Sequence, residues 1–345
     1  MTSLCLVASA MPPPPPVIPL YAWVGFGVLV LFVLALDLGI FHKEAKALTL
    51  REAAAWCGVW VSLAATFGVG ILLWRDTPTA SVYAAGYLLE LSLSVDNLFV
   101  FLLVFSAFKV PAEHQHRVLF WGILGAVLAR ALFIFGGIAL VERFGVLMYV
   151  FGIFLIATGI KMLFPEKQTA KDVENKFLVR TARRFFPMTP NLRGHHFFVR
   201  EGGRLLATPL FLVLLVIEGT DIIFAADSIP AIMGILPPAM DYQNKIFVAL
   251  TSNIFAILGL RSLYFALAGL LGCVRYLKYG LATMLAFIGV KMLLGTSGLL
   301  HIPPGLSVAT LATILASTIA TSLFFPPKGD MEQSPPSSVR NSEHD

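Results

Sequence analysis

The sequence predicts an all-α, polytopic transmembrane helical bundle of about nine spans, with an inverted repeat of two three-helix units. Three observations predict it. The chain of 345 residues is 57% hydrophobic and 13% charged, with mean hydropathy +0.82. Soluble domains carry roughly a quarter charged residues. Apolar stretches recur at the length a helix needs to cross the hydrocarbon core, about 20 residues. An acidic motif at membrane depth occurs twice, in two such stretches.

In chain order, residues 1–20 are expected to form a proline-rich leader. They are apolar but lack a basic n-region, and Pro12–Pro16 favour polyproline II, so a non-helical leader is expected rather than a cleaved signal. Met11 is an alternative start. Two N-terminal spans follow within 21–79, Tyr21–Ile40 and Ala54–Trp74. The first three-span unit occupies 80–164, as Ala80–Phe108, Val118–Val141 and Val146–Phe164. A basic loop covers 165–208. Within it, Asn175–Phe186 reads as an amphipathic helix on an anionic leaflet or as a plain charged connector. His196–Ala207, centred on Gly202-Gly203, reads as a β-hairpin. The second unit occupies 209–299, as Pro209–Leu236, Ile246–Leu271 and Tyr279–Leu299. A final span, Gly305–Phe325, lies within 300–327, and residues 328–345 have the Ser-, Pro- and charge-rich composition of a disordered tail.

Charge sets the expected orientation. Lys43, Lys46 and Arg51 lie in the first loop, Lys109 and Arg117 in the third, nine Lys or Arg in the fifth, and Arg275 and Lys278 in the seventh. The alternate loops offer Arg75, Arg143 and Lys245. The positive-inside rule then places the N-terminus outside and the C-terminus in the cytoplasm, which an odd span count requires. The net charge of +5 lies mostly in these loops and speaks to topology, not to nucleic acid. Cys5, Cys57 and Cys273 are scattered and offer neither a disulfide nor a zinc framework.

The two motifs are Glu90-Leu-Ser-Leu-Ser-Val-Asp96-Asn97 and Asp221-Ile-Ile-Phe-Ala-Ala-Asp227-Ser228. A shift of 131 residues superimposes them and carries Arg130 onto Arg261. A shift of 130 carries Gly159-Ile-Lys-Met-Leu163 onto Gly289-Val-Lys-Met-Leu293. Three spans per unit force the copies into opposite orientations, the arrangement of many secondary transporters with sites at the repeat interface.

A carboxylate at membrane depth is costly unless protonated, paired or bound to a cation. Glu90, Asp96, Asn97, Asp221, Asp227 and Ser228 therefore form a candidate site that supplies oxygen alone, which suits Mg²⁺, Ca²⁺ or Mn²⁺. Arg130 and Arg261 are candidate counter-charges, and Glu218 and Asn253 candidate outer ligands. Acids six residues apart on an ideal helix diverge by about 120° and lie about 9 Å apart along the axis. Sharing one ion within a helix would need local unwinding, which Pro230 favours in the second copy. The structural alternative is that these acids form buried ties to arginine. No phosphate loop, His-Glu-x-x-His helix or Ser/His/Asp arrangement points to an enzyme.

Beyond the acids, the chain carries Glu90-Leu-Ser-Leu-Ser-Val-Asp-Asn-Leu-Phe-Val-Phe101 and Gln115-His-Arg-Val-Leu-Phe-Trp-Gly-Ile-Leu124. It also carries Thr220-Asp-Ile-Ile-Phe-Ala-Ala-Asp-Ser-Ile-Pro-Ala231 and Thr251-Ser-Asn-Ile-Phe-Ala-Ile-Leu-Gly-Leu-Arg261. On these motifs it resembles the TerC family of integral membrane proteins, from about Trp23 to Gly295. The resemblance implies a bacterial inner-membrane protein and, in the Alx-like branch that it most resembles, a manganese exporter whose intramembrane acids correspond to Glu90, Asp96, Asp221 and Asp227. It implies no permanently bound cofactor, with Mn²⁺ as substrate.

The family is also associated with tellurite resistance, and plastid relatives with membrane-protein insertion. The expected partners are the lipid bilayer, a divalent cation and, through titratable acids, protons in antiport. A Ca²⁺ carrier and a non-transporting scaffold for envelope stress or protein insertion remain open. The sequence sets no oligomeric state.

Overall fold

The computed structural model describes residues 18–41, 49–164, 179, 186–194, 196–201, 203–269, 276–300 and 302–324. The leader up to residue 17, the expected helix over 175–186 apart from Val179 and Phe186, and the expected tail lie outside the described residues.

Helices α1 (Leu20–Phe41), α2 (Leu50–Trp74), α3 (Thr77–Ala107), α4 (Ala112–Arg143) and α5 (Leu147–Leu163) precede a two-stranded sheet. Strands β1 (Phe198–Glu201) and β2 (Arg204–Ala207) are followed by α6 (Pro209–Ile235), α7 (Tyr242–Leu258), α8 (Leu260–Gly269), α9 (Leu277–Thr296) and α10 (Pro304–Phe324). Local chemistry starts these helices where the sequence allows. Thr49 and Glu52 form a reciprocal capping box at α2, with Oε2 of Glu52 accepting from the Thr49 amide at 2.8 Å. Asp76 accepts from the Thr79 amide at 2.6 Å to open α3, and Asp241 accepts from the Gln243 amide at 3.0 Å to open α7. Pro209 sits at the start of α6, where its missing N–H costs nothing.

By length and composition α2, α3, α4, α6, α9 and α10 can each cross a membrane, and the bent pair α7–α8 counts as a seventh. Leu20–Ala35 of α1 and the whole of α5 are shorter apolar helices. The molecule is a helical membrane bundle. Its exposed side chains include Leu73, Leu132, Val146 and Phe324, which a lipid phase solvates.

Two expectations about helix continuity are corrected. The acid-bearing spans do not unwind: α3 runs unbroken through Glu90–Asn97 and α6 through Asp221–Ser228, with Pro230 inside the helix. Pro230 removes one donor from the ladder but does not open it at the motif. The break falls instead inside the span expected over Ile246–Leu271, where α7 and α8 meet at 41° around Gly259. Trp60 of α2 backs onto this bend. A Cβ at residue 259 would come within 3.3 Å of the Trp60 Cβ, and Trp60 Nε1 donates to Ser262 Oγ at 3.1 Å just beyond it. Close approach, not a positive φ, is what calls for glycine there.

With no hydrophobic gain between helices in lipid, small residues that admit close contact carry the packing. The clearest case joins α5 to α9. A Cβ on Gly152 would lie 2.7 Å from Leu293 Cδ2 and 3.2 Å from the Gly289 carbonyl oxygen, and one on Gly159 would lie 2.7 Å from the Ala282 carbonyl oxygen. Numbers rise on α5 as they fall on α9, so the pair is antiparallel. A shift of 130 carries Gly152 onto Ala282 and Gly159 onto Gly289, so the two contacts exchange. Gly289→Ala is expected to lower stability by about 1–3 kcal/mol through overpacking. Gly295→Ala, with open space at the same helix's end, should not lower it. Thermal unfolding in detergent checks both.

The expected hairpin is present, with Phe198 opposite Ala207 and Glu201 opposite Arg204. It is tied to the bundle by Phe198 on Phe211 of α6, 4.5 Å between ring centroids, and by the Arg117 guanidinium of α4 over Phe197 at 5.1 Å.

Candidate functional site

The site lies where α3, α4 and α6 meet, near the middle of each helix. On α3, Glu90 and Asn97 are seven residues apart, which is two turns and therefore one face, about 10 Å long. On α6, Asp221 and Ser228 have the same spacing. The helices pack antiparallel, so the first acid of one motif faces the last polar residue of the other. Ser228 Oγ lies 3.5 Å from Glu90 Oε1, to which it donates.

Arg130 of α4 fills the space between. Its Nη1 forms an ion pair with Glu90 and donates to Ser228 Oγ at 3.4 Å. Its Nη2 reaches Asp221 Oδ1 at 3.5 Å and, with the amide oriented to satisfy both its ends, the Asn97 side-chain oxygen at 3.2 Å. The amide nitrogen of Asn97 then donates to the Leu93 carbonyl at 3.1 Å. A shift of 131 exchanges the two ends of this arrangement, Glu90 with Asp221 and Asn97 with Ser228. Glu90, Arg130 and Asp221 are 2%, 2% and 3% exposed. Charges so deeply buried persist only if paired and hydrogen-bonded.

Pairing is incomplete. Among the described residues, two carboxylates share one guanidinium. Among the described residues Asp221 Oδ2, Ser94 Oγ and Arg130 Nε are buried without a hydrogen-bond partner. Ser94, one turn past Glu90, escaped the sequence reading. Its signal was there, as the second of two serines inside the first motif.

Asp96 and Asp227 lie on α3 and α6, but their side chains are outside the described part of the structure. Asn253 is buried on α7 with Oδ1 unpartnered among the described residues, and Arg261 is buried on α8 just past the Gly259 bend. Glu218 is half-buried on α6, one turn before Asp221. It packs its carboxyl group against Gly125 of α4 and makes no hydrogen bond or ion pair with a described residue. Among the described residues no three His, Cys, Asp or Glu side chains cluster as a metal site.

Fold and site together define a class: an integral membrane protein of packed helices with an ion-paired polar cluster buried between two copies of one motif. The profile described as "Integral membrane protein TerC family" matches residues 75–329, and the chain belongs to that family. It is 49% identical over 302 residues to "Uncharacterized membrane protein STKORF319" of Myxococcus xanthus, covering 87% of this chain and 91% of that one. It is 44% identical over 305 residues to the "Putative membrane-bound redox modulator Alx" of Escherichia coli K12, covering 86% and 92%. An "Uncharacterized membrane protein" of Rickettsia bellii is 37% identical over 302 residues, covering 88% and 97%. No solved structure matches the chain.

Proposed function

We propose that this protein exports a hard divalent cation, Mn²⁺ before Ca²⁺, from the cytoplasm of a bacterium through the cluster between α3 and α6. The proposal includes an inner-membrane protein of nine spans, N-terminus outside and C-terminus inside, whose two three-span units form an inverted repeat. The observation that carries it is the convergence of both motif copies on one buried point where, among the described residues, two acids share one guanidinium and Asp221 Oδ2 has no partner. A tie that served only to hold helices would be better neutralised, since each uncompensated buried charge is strongly destabilising.

Glu90, Asp96, Asp221 and Asp227 act as anionic ligands, with Asn97 and Ser228 as neutral ones. Arg130 holds Glu90 and Asp221 when no cation is present. An arriving divalent ion takes over these carboxylates as the guanidinium withdraws, and Arg130 returns when the ion leaves. The acids thereby avoid standing bare in either state. Carboxylates freed of metal can also take protons, which couples export to proton entry. Cation flux indifferent to an imposed pH gradient would sink that coupling.

The test is Mn²⁺ uptake into everted membrane vesicles carrying the wild type or Asp96→Asn/Asp227→Asn at matched expression. Wild-type flux that the variant abolishes supports the carrier. Ca²⁺ flux in place of Mn²⁺ changes the substrate. Neither flux, with a phenotype that follows replacement of residues 165–208, supports the scaffold instead.

A further inference from the structure

An inverted repeat makes the two approaches to its central site equivalent by construction. Directional differences must then arise where the copies differ. The motif cores differ little in kind, but one helical turn before each first acid they part company. Residue 218 is glutamate on α6, and its counterpart under the 131-residue shift is Tyr87 on α3. With the fifth loop in the cytoplasm, Glu218 lies on the cytoplasmic side of Asp221, because α6 starts directly after that loop. Tyr87 correspondingly lies on the outer side of Glu90.

Glu218 packs closely against α4. Gly125 of α4 faces it, and a methyl at residue 125 would overlap the Glu218 carboxyl. The carboxyl is half-buried and unpaired among the described residues. Three residues on, along the same face of the helix, Asp221 is 3% exposed and its Oδ2 has no hydrogen-bond partner among the described residues. A half-buried acid, unpaired among the described residues, thus stands one helical turn from a carboxylate oxygen of the central cluster that has no partner among them.

We propose that Glu218 is a loading acid for divalent cations on the cytoplasmic approach only, passing the ion to the free Oδ2 of Asp221. This rests on the carrier reading and its orientation. Glu218 raises the local cation concentration and supplies a first ligand, so its loss weakens capture from one face. Tyr87 offers a phenol but no anion on the other face.

Glu218→Gln tests this, since glutamine fills the same space against Gly125 and leaves packing intact. Initial Mn²⁺ rates are measured against concentration in everted vesicles, where the cytoplasmic face is outermost, and in right-side-out vesicles. The expected result is a KM raised about tenfold at the cytoplasmic face, with maximal rate and the outer-face KM retained. Glu218→Asp should recover part of the lost affinity. An unchanged KM, or an equal rise at both faces, overturns the loading role. Asp221→Asn separates the two readings. If Asp221→Asn abolishes flux while Glu218→Gln leaves KM unaltered, the carrier stands and the loading role falls. If wild-type vesicles carry no divalent cation, both fall.

Discussion

Exchanging Arg130 for methionine is expected to lower the stability of the protein by about 3–5 kcal/mol, the cost of breaking a buried pair from one side. Glu90 and Asp221 would then face each other's helices with no shared guanidinium, and Ser228 would lose its donor. Unfolding in detergent by heat or denaturant measures the loss. The triple exchange Glu90→Gln/Arg130→Met/Asp221→Asn removes all three charges together and should recover much of the stability. Buried ion clusters replaced whole by neutral groups of similar volume are often neutral or better. A silent Arg130→Met would mean that the acids do not depend on the guanidinium.

Glu90→Gln and Asp221→Asn separate stability from transport. Among the described residues each leaves Arg130 paired with one carboxylate, so the fold should be retained. Each also removes an anionic ligand from the proposed cation path. Mn²⁺ flux at low concentration should fall by about 100-fold, at the upper end of what perturbing a metal site costs. Vesicle uptake at matched expression reads this out. Flux that survives both exchanges would leave the cluster as a structural tie.

The same residues mark the border between what is local and what is not. Composition and periodicity are local, so the helical membrane class was legible before any coordinates. So was the duplicated motif, which is a matter of spacing alone. Glu90, Asn97, Asp221 and Ser228 could therefore be named as partners in one site from the sequence.

How they meet could not be read, because it depends on the rotation of each helix against its neighbours. Reading the acids as pairs six apart led to an expected unwinding. In the structure the working spacing is seven, two full turns on one face, and the helices stay intact. Arg130 and Arg261 are equivalent by spacing, and nothing local distinguishes them. Packing does. α4 carries Arg130 into the cluster between α3 and α6, whereas Arg261 lies just past the 41° bend at Gly259 that Trp60 backs.

Gly125 carried no signal at all, since a glycine in an apolar helix has many uses. Only its position opposite Glu218 gives it meaning. The sequence by itself determined the helical membrane class and the inventory of charges within its apolar stretches. The tertiary structure alone decided which charges pair and which stay free, because electrostatic partnership in a low-dielectric interior is settled over a few ångströms between segments far apart in the chain.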